Sequence, residues 1–292
     1  MKSVNVHRIL VPVDFSPAGT CALQQGIYLA NKFRADIFLL HVLEGIFAYP
    51  NEWFDQSVRA PGKEQLKKII TEKLSEISED ITKKHGVYVE SLITIGKPAL
   101  QIIETVNERD IDLIVMGSHG TEGFEEVFVG STAHKVVNLS PCPVITVREG
   151  VKSEGFKIIV LPIDNSRYSR QKVSNVLPLA TKCNSAVHVL GIIQGEDKSD
   201  IAKLNIKLNT VQEAIENAGL VYVRKIINGK NIAIEAIKYA EEVNADLVSI
   251  MTDHESNLTG MFMGAFARQI VNHSKVPIMS IKPMEGPYES AS

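Results

Sequence analysis

Apolar residues in this chain fall in short unbroken runs separated by stretches of helical period. Ile9-Leu10-Val11-Pro12-Val13 is such a run and reads as a strand buried on both faces. Asp14 stands at its end, and Ser16-Pro17 reads as an N-cap followed by proline at the first helical position. Ala22, Leu23, Gly26, Ile27, Ala30 and Phe33 then repeat at helical spacing, and Ile37 to Val42 forms the next strand. A strand, a helix and a strand in this order make a right-handed parallel crossover.

From Leu43 to Lys63 the periodicity stops. Phe47, Tyr49, Trp53 and Phe54 lie among Pro50, Pro61 and Gly62, and the expectation is a long loop, either a binding loop or an aromatic surface patch. Glu64 to His85 is amphipathic, with Leu66, Ile69, Ile70, Leu74, Ile77 and Ile81 on one stripe and Gly86 as its stop. Val87, Val89, Ser91, Ile93 and Ile95 alternate as a third strand. Gly96-Lys97-Pro98 turns into a helix carrying Leu100, Ile102, Ile103 and Val106. Leu113-Ile114-Val115-Met116 is a fourth strand, a helix runs from Gly130-Ser131-Thr132 to about Leu139, and Val144 to Val147 is a fifth strand after Pro141-Cys142-Pro143. Strands and helices in alternation predict an α/β fold, a doubly wound parallel sheet.

The second half repeats the first. Lys157 to Ser166 echoes Arg8 to Ser16, with Asp164 matching Asp14, and His188 to Ile193 echoes the second strand. Asn228-Gly229-Lys230, Asp246 to Ile250 and Val276 to Ile281 echo the third turn and the last two strands. A repeat this long means duplicated domains, divided as 1–150 and 151–292.

One stretch carries candidate chemistry. Gly117-Ser118-His119-Gly120 follows the fourth strand, and nine residues separate Gly120 from Gly130-Ser131-Thr132 at a helix start. Unpaired N–H groups and the dipole favour an anion there, and glycines let backbone approach a ligand. Neither G-x-x-x-x-G-K-[ST] nor G-x-G-x-x-G occurs. The pattern G-x-x-G, nine residues, G-S resembles the nucleotide motif of the universal stress protein family, closely so in its ATP-binding members. In the second half Met251-Thr252-Asp253-His254 and Gly264-Ala265 stand in its place, so that copy reads as degenerate.

The resemblance implies two five-stranded sheets of order 3-2-1-4-5, adenine nucleotide alpha hydrolase-like, with the ligand at the switch point between strands one and four. It implies roles for Pro12, Val13, Asp14 and Val42 around adenine and ribose, and for Met116, Gly117, His119, Gly120, Gly130, Ser131 and Thr132 on the phosphate side. His41 ends a strand and is taken as structural. The implied cofactor is ATP, with Mg²⁺ to help neutralise the triphosphate. No lysine or arginine stands in the motif, so the expected affinity is modest, on the order of micromolar, and the implied role is a regulatory binder in the stress response. Two other readings stay open. One is a slow ATPase or self-phosphorylating protein drawing on Asp14, Ser118, His119 or Ser131. The other is an interaction module without nucleotide. Single-domain relatives resemble dimers joined through the last strand, which implies an intrachain pseudo-dimer and leaves room for a dimer of chains.

Composition narrows the classes. Across 292 residues, 45% hydrophobic and 22% charged content is that of an ordinary globular protein. A net charge of -3 gives no electrostatic case for nucleic acid or an anionic membrane. The N-terminus lacks a secretory apolar region and no apolar run approaches the length of a membrane span, so the expected location is cytoplasmic. Cys21, Cys142 and Cys183 form no C-x-x-C, and the expectation is three buried small hydrophobes with neither a disulfide nor a metal site.

Overall fold

The computed structural model of the chain describes residues 5–44, 63–118, 130–151, 155–229, 231–252, 271 and 274–284. The aromatic stretch around Trp53, the loop holding His119 and Gly120, and the segment holding Asp253, His254, Gly264 and Ala265 lie outside the described residues.

The first half runs β1 (Arg8–Pro12), α1 (Pro17–Phe33), β2 (Asp36–Leu43), α2 (Lys63–His85), β3 (Val89–Ile95), α3 (Pro98–Glu108), β4 (Leu113–Gly117), α4 (Ser131–Leu139) and β5 (Val144–Val147). The second runs β6 (Ile158–Ile163), α5 (Val173–Cys183), β7 (Ala186–Ile193), α6 (Lys198–Asn217), β8 (Val221–Asn228), α7 (Ile232–Glu242), β9 (Leu247–Met251) and β10 (Ile278–Ile281). Local chemistry sets the ends. Ser16 caps α1 by accepting the N–H of Gly19, Pro17 fills the first helical position, and Arg34 closes the helix at φ 57°. Gly86 ends α2 at φ 67°.

The strand order is β3-β2-β1-β4-β5-β10-β9-β6-β7-β8, so each half has the 3-2-1-4-5 order and the two share one ten-stranded sheet. Every pairing within a half is parallel, while β5 and β10 pair antiparallel, with Ile145 opposite Met279. The final strands thus bury the apolar edges that each half would otherwise expose: Val144, Ile145, Val147, Ile278, Met279 and Ile281 are all buried. The antiparallel seam also points the carboxyl ends of the two sets of strands to opposite edges of the sheet.

Two layers of helices cover the faces. Ile9 and Val11 join the cluster of α1, α2, α5 and α6, whereas Leu10 joins that of α3, α4 and α7, as the two-residue period of a strand requires. Several expectations need correction. The third strand begins at Val89 rather than Val87, and its Ile95 is 61% exposed because β3 is a sheet edge with half-covered faces. Leu100 in α3 is likewise exposed. The three cysteines are free thiols at intermediate depth and not core residues. No described helix is long and apolar enough to cross a membrane.

Candidate functional site

Strands β1 and β4 are neighbours in register, with Ile9 beside Leu113 and Leu10 beside Ile114. Residues a hundred positions apart in sequence therefore end at the same edge. Pro12, Val13 and Asp14 leave β1 next to Met116 and Gly117 at the end of β4, and Val42 lies near the end of β2. The N–H of Gly130 donates to the carbonyl of Ser118 at 2.8 Å, which ties the start of α4 to the end of β4. Gly130, Ser131 and Thr132 therefore stand at the same edge as Asp14. This is the switch point of the sheet, where strand order reverses.

Each side chain has a definable state. Asp14 is exposed, and its Oδ1 accepts from the Ser16 N–H at 3.0 Å and from the Ser16 hydroxyl at 2.6 Å. Gly19 makes room for that carboxylate, since a Cβ there would stand 2.7 Å from Asp14 Oδ1. Ser16 and Gly19, absent from the sequence-based set, thus fix the aspartate; the shared D-x-S of Asp14–Ser16 and Asp164–Ser166 was the signal for Ser16. Val13 and Met116 are buried in opposite core clusters, so each has only backbone to offer a ligand. His41 is buried and its Nδ1 lies 2.7 Å from the carbonyl of Val13, so Nδ1 carries the proton. Burial pushes its pKa below the usual histidine value, against the opposing pull of that carbonyl and of Asp14. The structural role expected for His41 is thereby given a partner.

Gly117 and Gly130 serve different ends. A Cβ on Gly117 would meet Ala18 C and Gly19 N, both at 3.0 Å, so the packing of α1 on β4 by itself favours a glycine here. Gly130 sits at φ -55°, ψ 147°, a conformation open to any residue, and α4 has no side-chain cap. Nothing in its dihedral angles demands a glycine there. A small residue keeps the first amides of α4 uncovered.

The second half rebuilds the same place differently. Asp164 Oδ1 again accepts from the Ser166 N–H and hydroxyl, at 3.2 and 2.6 Å, but Asp164 is buried. Met251, fully buried, stands where β4 has Gly117. The chain from 167 to 172 forms turns, and α5 begins only at Val173. Lys172, in the place of Ala22, is buried and donates to the carbonyl of Ser169 at 2.6 Å. Burial pulls its pKa down to about 8, with Asp164 opposing the shift. Lys207 of α6 donates to the carbonyl of Ser166 at 2.8 Å and reaches that of Asp164 at 3.4 Å.

Cavities lie elsewhere among the described residues. One of about 290 Å³ sits beneath the link between the halves, beside Gln25, Glu149, Phe156 and Lys275. Another of about 280 Å³ lies at the ends of β7 and β8, against Leu204 and Ile226. No group of three or more His, Cys, Asp or Glu gathers as a metal site among the described residues.

Comparison with known proteins agrees with this architecture. The model of the universal stress protein family matches residues 5–148 and again residues 155–282. The universal stress protein YxiE of Bacillus subtilis is 33% identical over 152 residues, which are 49% of this chain and 99% of that protein. The universal stress protein MJ0531 of Methanocaldococcus jannaschii is 30% identical over 151 residues, 50% of this chain and 84% of that protein. Among solved structures, a universal stress protein from Archaeoglobus fulgidus superposes with a TM-score of 0.72 at 19% identity, covering 96% of this chain and 97% of that one, a likeness of fold. With both halves of the sheet matched in turn, the chain belongs to the universal stress protein family as a tandem member carrying two copies of its domain.

Proposed function

We propose that the first half, residues 1–150, binds an adenine nucleotide, ATP with Mg²⁺, at the carboxyl ends of β1 and β4, and that the protein acts as a regulatory binder. The observation that carries this reading is the meeting of an exposed, held carboxylate with an uncapped helix start. Asp14 is fixed by Ser16 on one side of the switch point, and the amides of α4 open on the other.

In this reading Asp14 accepts from ribose hydroxyls, while the backbone of Pro12, Val13 and Val42 borders the base. Backbone N–H groups at Gly130, Ser131 and Thr132 meet the phosphates, aided by the Ser131 and Thr132 hydroxyls, with Met116 and Gly117 forming the floor beneath. His119 and Gly120 belong to the same motif by resemblance. An exposed helix start favours an anion by only about 0.3–1 kcal/mol. Affinity therefore rests on the base and ribose contacts together with several amides, and is on the order of micromolar. Mg²⁺ is held by the phosphates rather than by a carboxylate cluster. Bound nucleotide stabilises the conformation that carries it and so couples occupancy to a partner surface.

Equilibrium titration of purified protein with Mg-ATP tests the reading. The expected result is one site per chain, weakened about tenfold or more by Asp14→Ala or Gly130→Leu. Absence of binding at millimolar nucleotide would overturn it. Sustained phosphate release, lost in Gly130→Leu, would replace the binder by an ATPase.

A further inference from the structure

Two cavities sit at matching places on the seam between the halves, and they differ in size. The internal repeat fixes the match. Asp112 accepts the N–H groups of His7 and Arg8 through Oδ2, and Asp246 accepts those of Lys157 and Ile158 in the same way. Phe156 therefore stands where the first half has Val6, and Pro277 where it has Pro143. Asn175 of α5 corresponds to Gln25 of α1, by the same count that matches Asp164 with Asp14. The void beside Val6, Asp112, Pro143 and Asn175 measures about 10 Å³, barely the room of a single water. The cavity beside Phe156, Asp246, Pro277 and Gln25 measures about 290 Å³.

Both halves wall the larger cavity. Gln25 comes from α1 and Glu149 from the chain leaving β5, whereas Phe156, Asp246 and Lys275 come from the chain entering β6, β9 and β10. Tyr28, one turn after Gln25, braces the wall. Its ring meets that of Phe156 edge-on with centroids 6.3 Å apart, and a Cβ on Gly155 would stand 2.7 Å from its hydroxyl. Gln25 is 2% exposed, and its Nε2 has no hydrogen-bond partner in the protein. A buried amide left unpaired is costly, and this one borders a space large enough for a ligand. The last torsion of a glutamine is broad and roughly two-fold, so the ends of the amide can exchange and its N–H groups can face the cavity.

We propose that this cavity is a binding site for a small zwitterion, a free amino acid, seated across the two halves. The polar groups that line it carry both signs. Asp246 spends Oδ2 on backbone N–H groups, which leaves Oδ1 for a ligand. Glu149 is exposed, and Lys275, 81% exposed, is paired with Glu241 at 3.5 Å. The ligand's carboxylate accepts from the Gln25 amide and the Lys275 ammonium, and its ammonium lies against Asp246 and Glu149. Phe156, Val276 and Pro277 offer apolar wall to its side chain. A plain anion would be repelled by the two carboxylates and a plain cation by Lys275, so a molecule carrying both charges fits best. The volume falls near the lower end of the range for ligand pockets, as so small a molecule requires. Occupancy ties α1 of the first half to the second half and so stabilises the seam. The residues are distinct from those of the proposed nucleotide site.

Saturation-transfer NMR of the full chain, without nucleotide, against a mixture of the protein amino acids at about 1 mM each tests this. Transfer to one or a few of them is expected, and titration of a responding amino acid should give one site per chain. The amine and the acid made by removing its carboxyl or its amino group should each bind at least about tenfold more weakly. Gln25→Leu and Lys275→Met should each weaken binding about tenfold, whereas Asn175→Leu, at the matching small void, should stay within about twofold of the parent. Lys275 is exposed, so its variant keeps the test alive even where Gln25→Leu fails to fold. No transfer to any amino acid, equal binding of the amine or the acid, or parental affinity in folded Gln25→Leu or Lys275→Met would overturn the proposal. Loss of the nucleotide reading would leave these measurements unchanged, and their failure would leave the Mg-ATP titration unchanged.

Discussion

Gly117→Ala separates packing from ligand approach. The added Cβ would stand 3.0 Å from Ala18 C, 3.0 Å from Gly19 N and 3.2 Å from Ala18 Cβ. Two of these three atoms are backbone in the first turn of α1, so relief requires moving the helix and not rotating a side chain. Overpacking of this kind costs about 1–3 kcal/mol. Removing a glycine from the unfolded chain returns about 0.4–1 kcal/mol. The net loss is about 1–2 kcal/mol, which for a cooperative unit of this size lowers the melting temperature by about 2–8 °C. Urea unfolding and a thermal melt of the ligand-free protein measure it. Because α1 starts just past Asp14 and is capped by Ser16, its displacement also disturbs the carboxylate, so Mg-ATP binding weakens in the same variant. An unchanged midpoint together with lost nucleotide binding would refute the packing argument and return this glycine to the ligand.

Two further predictions concern pH. Lys172 has a native pKa of about 8 against 10.5 for the free side chain, so above pH 8 the unfolded chain binds the extra proton and stability rises toward pH 10.5. The isolated-group ceiling is on the order of 3 kcal/mol. Lys172→Met should lose this rise, read as the difference between the two unfolding free energies at pH 8 and pH 10. The opposing Tyr28 and Cys142, raised to about 12 and about 11 by burial, cancel in that difference, and parallel curves would count against a buried charged lysine. His41 titrates below the usual 6.5 because it is buried, so the unfolded chain is protonated first and stability falls as pH drops through 6.5. His41→Phe keeps a ring beside Phe15 and should remove that share of the acid sensitivity. An identical acid profile in the variant would show that the ring is solvated.

Much of this protein was legible from its residues. Buried parallel strands leave unbroken apolar runs and their helices leave a stripe, so Ile9 to Val13 and Leu66 to Ile81 declared themselves. The internal echo of Asp14 by Asp164 gave the duplication. Edge strands were harder, because half-covered faces relax the period, and Ile95 proved exposed for that reason. The sequence, through local periodicity and turn chemistry, determined the elements, the tandem fold and the place where the glycine-rich pattern after β4 stands. Only the tertiary structure decided what depends on atoms far apart in the chain meeting at short range. It joined β5 to β10 into one sheet, and it set Gly117 against Ala18 and Gly19 of α1. It also brought Lys73 to the face of Phe15 in one half and Lys207 to the carbonyl of Ser166 in the other. The spacing of residues along one strand or helix cannot carry such information, because each contact is fixed by the side chain that a neighbouring element brings to it.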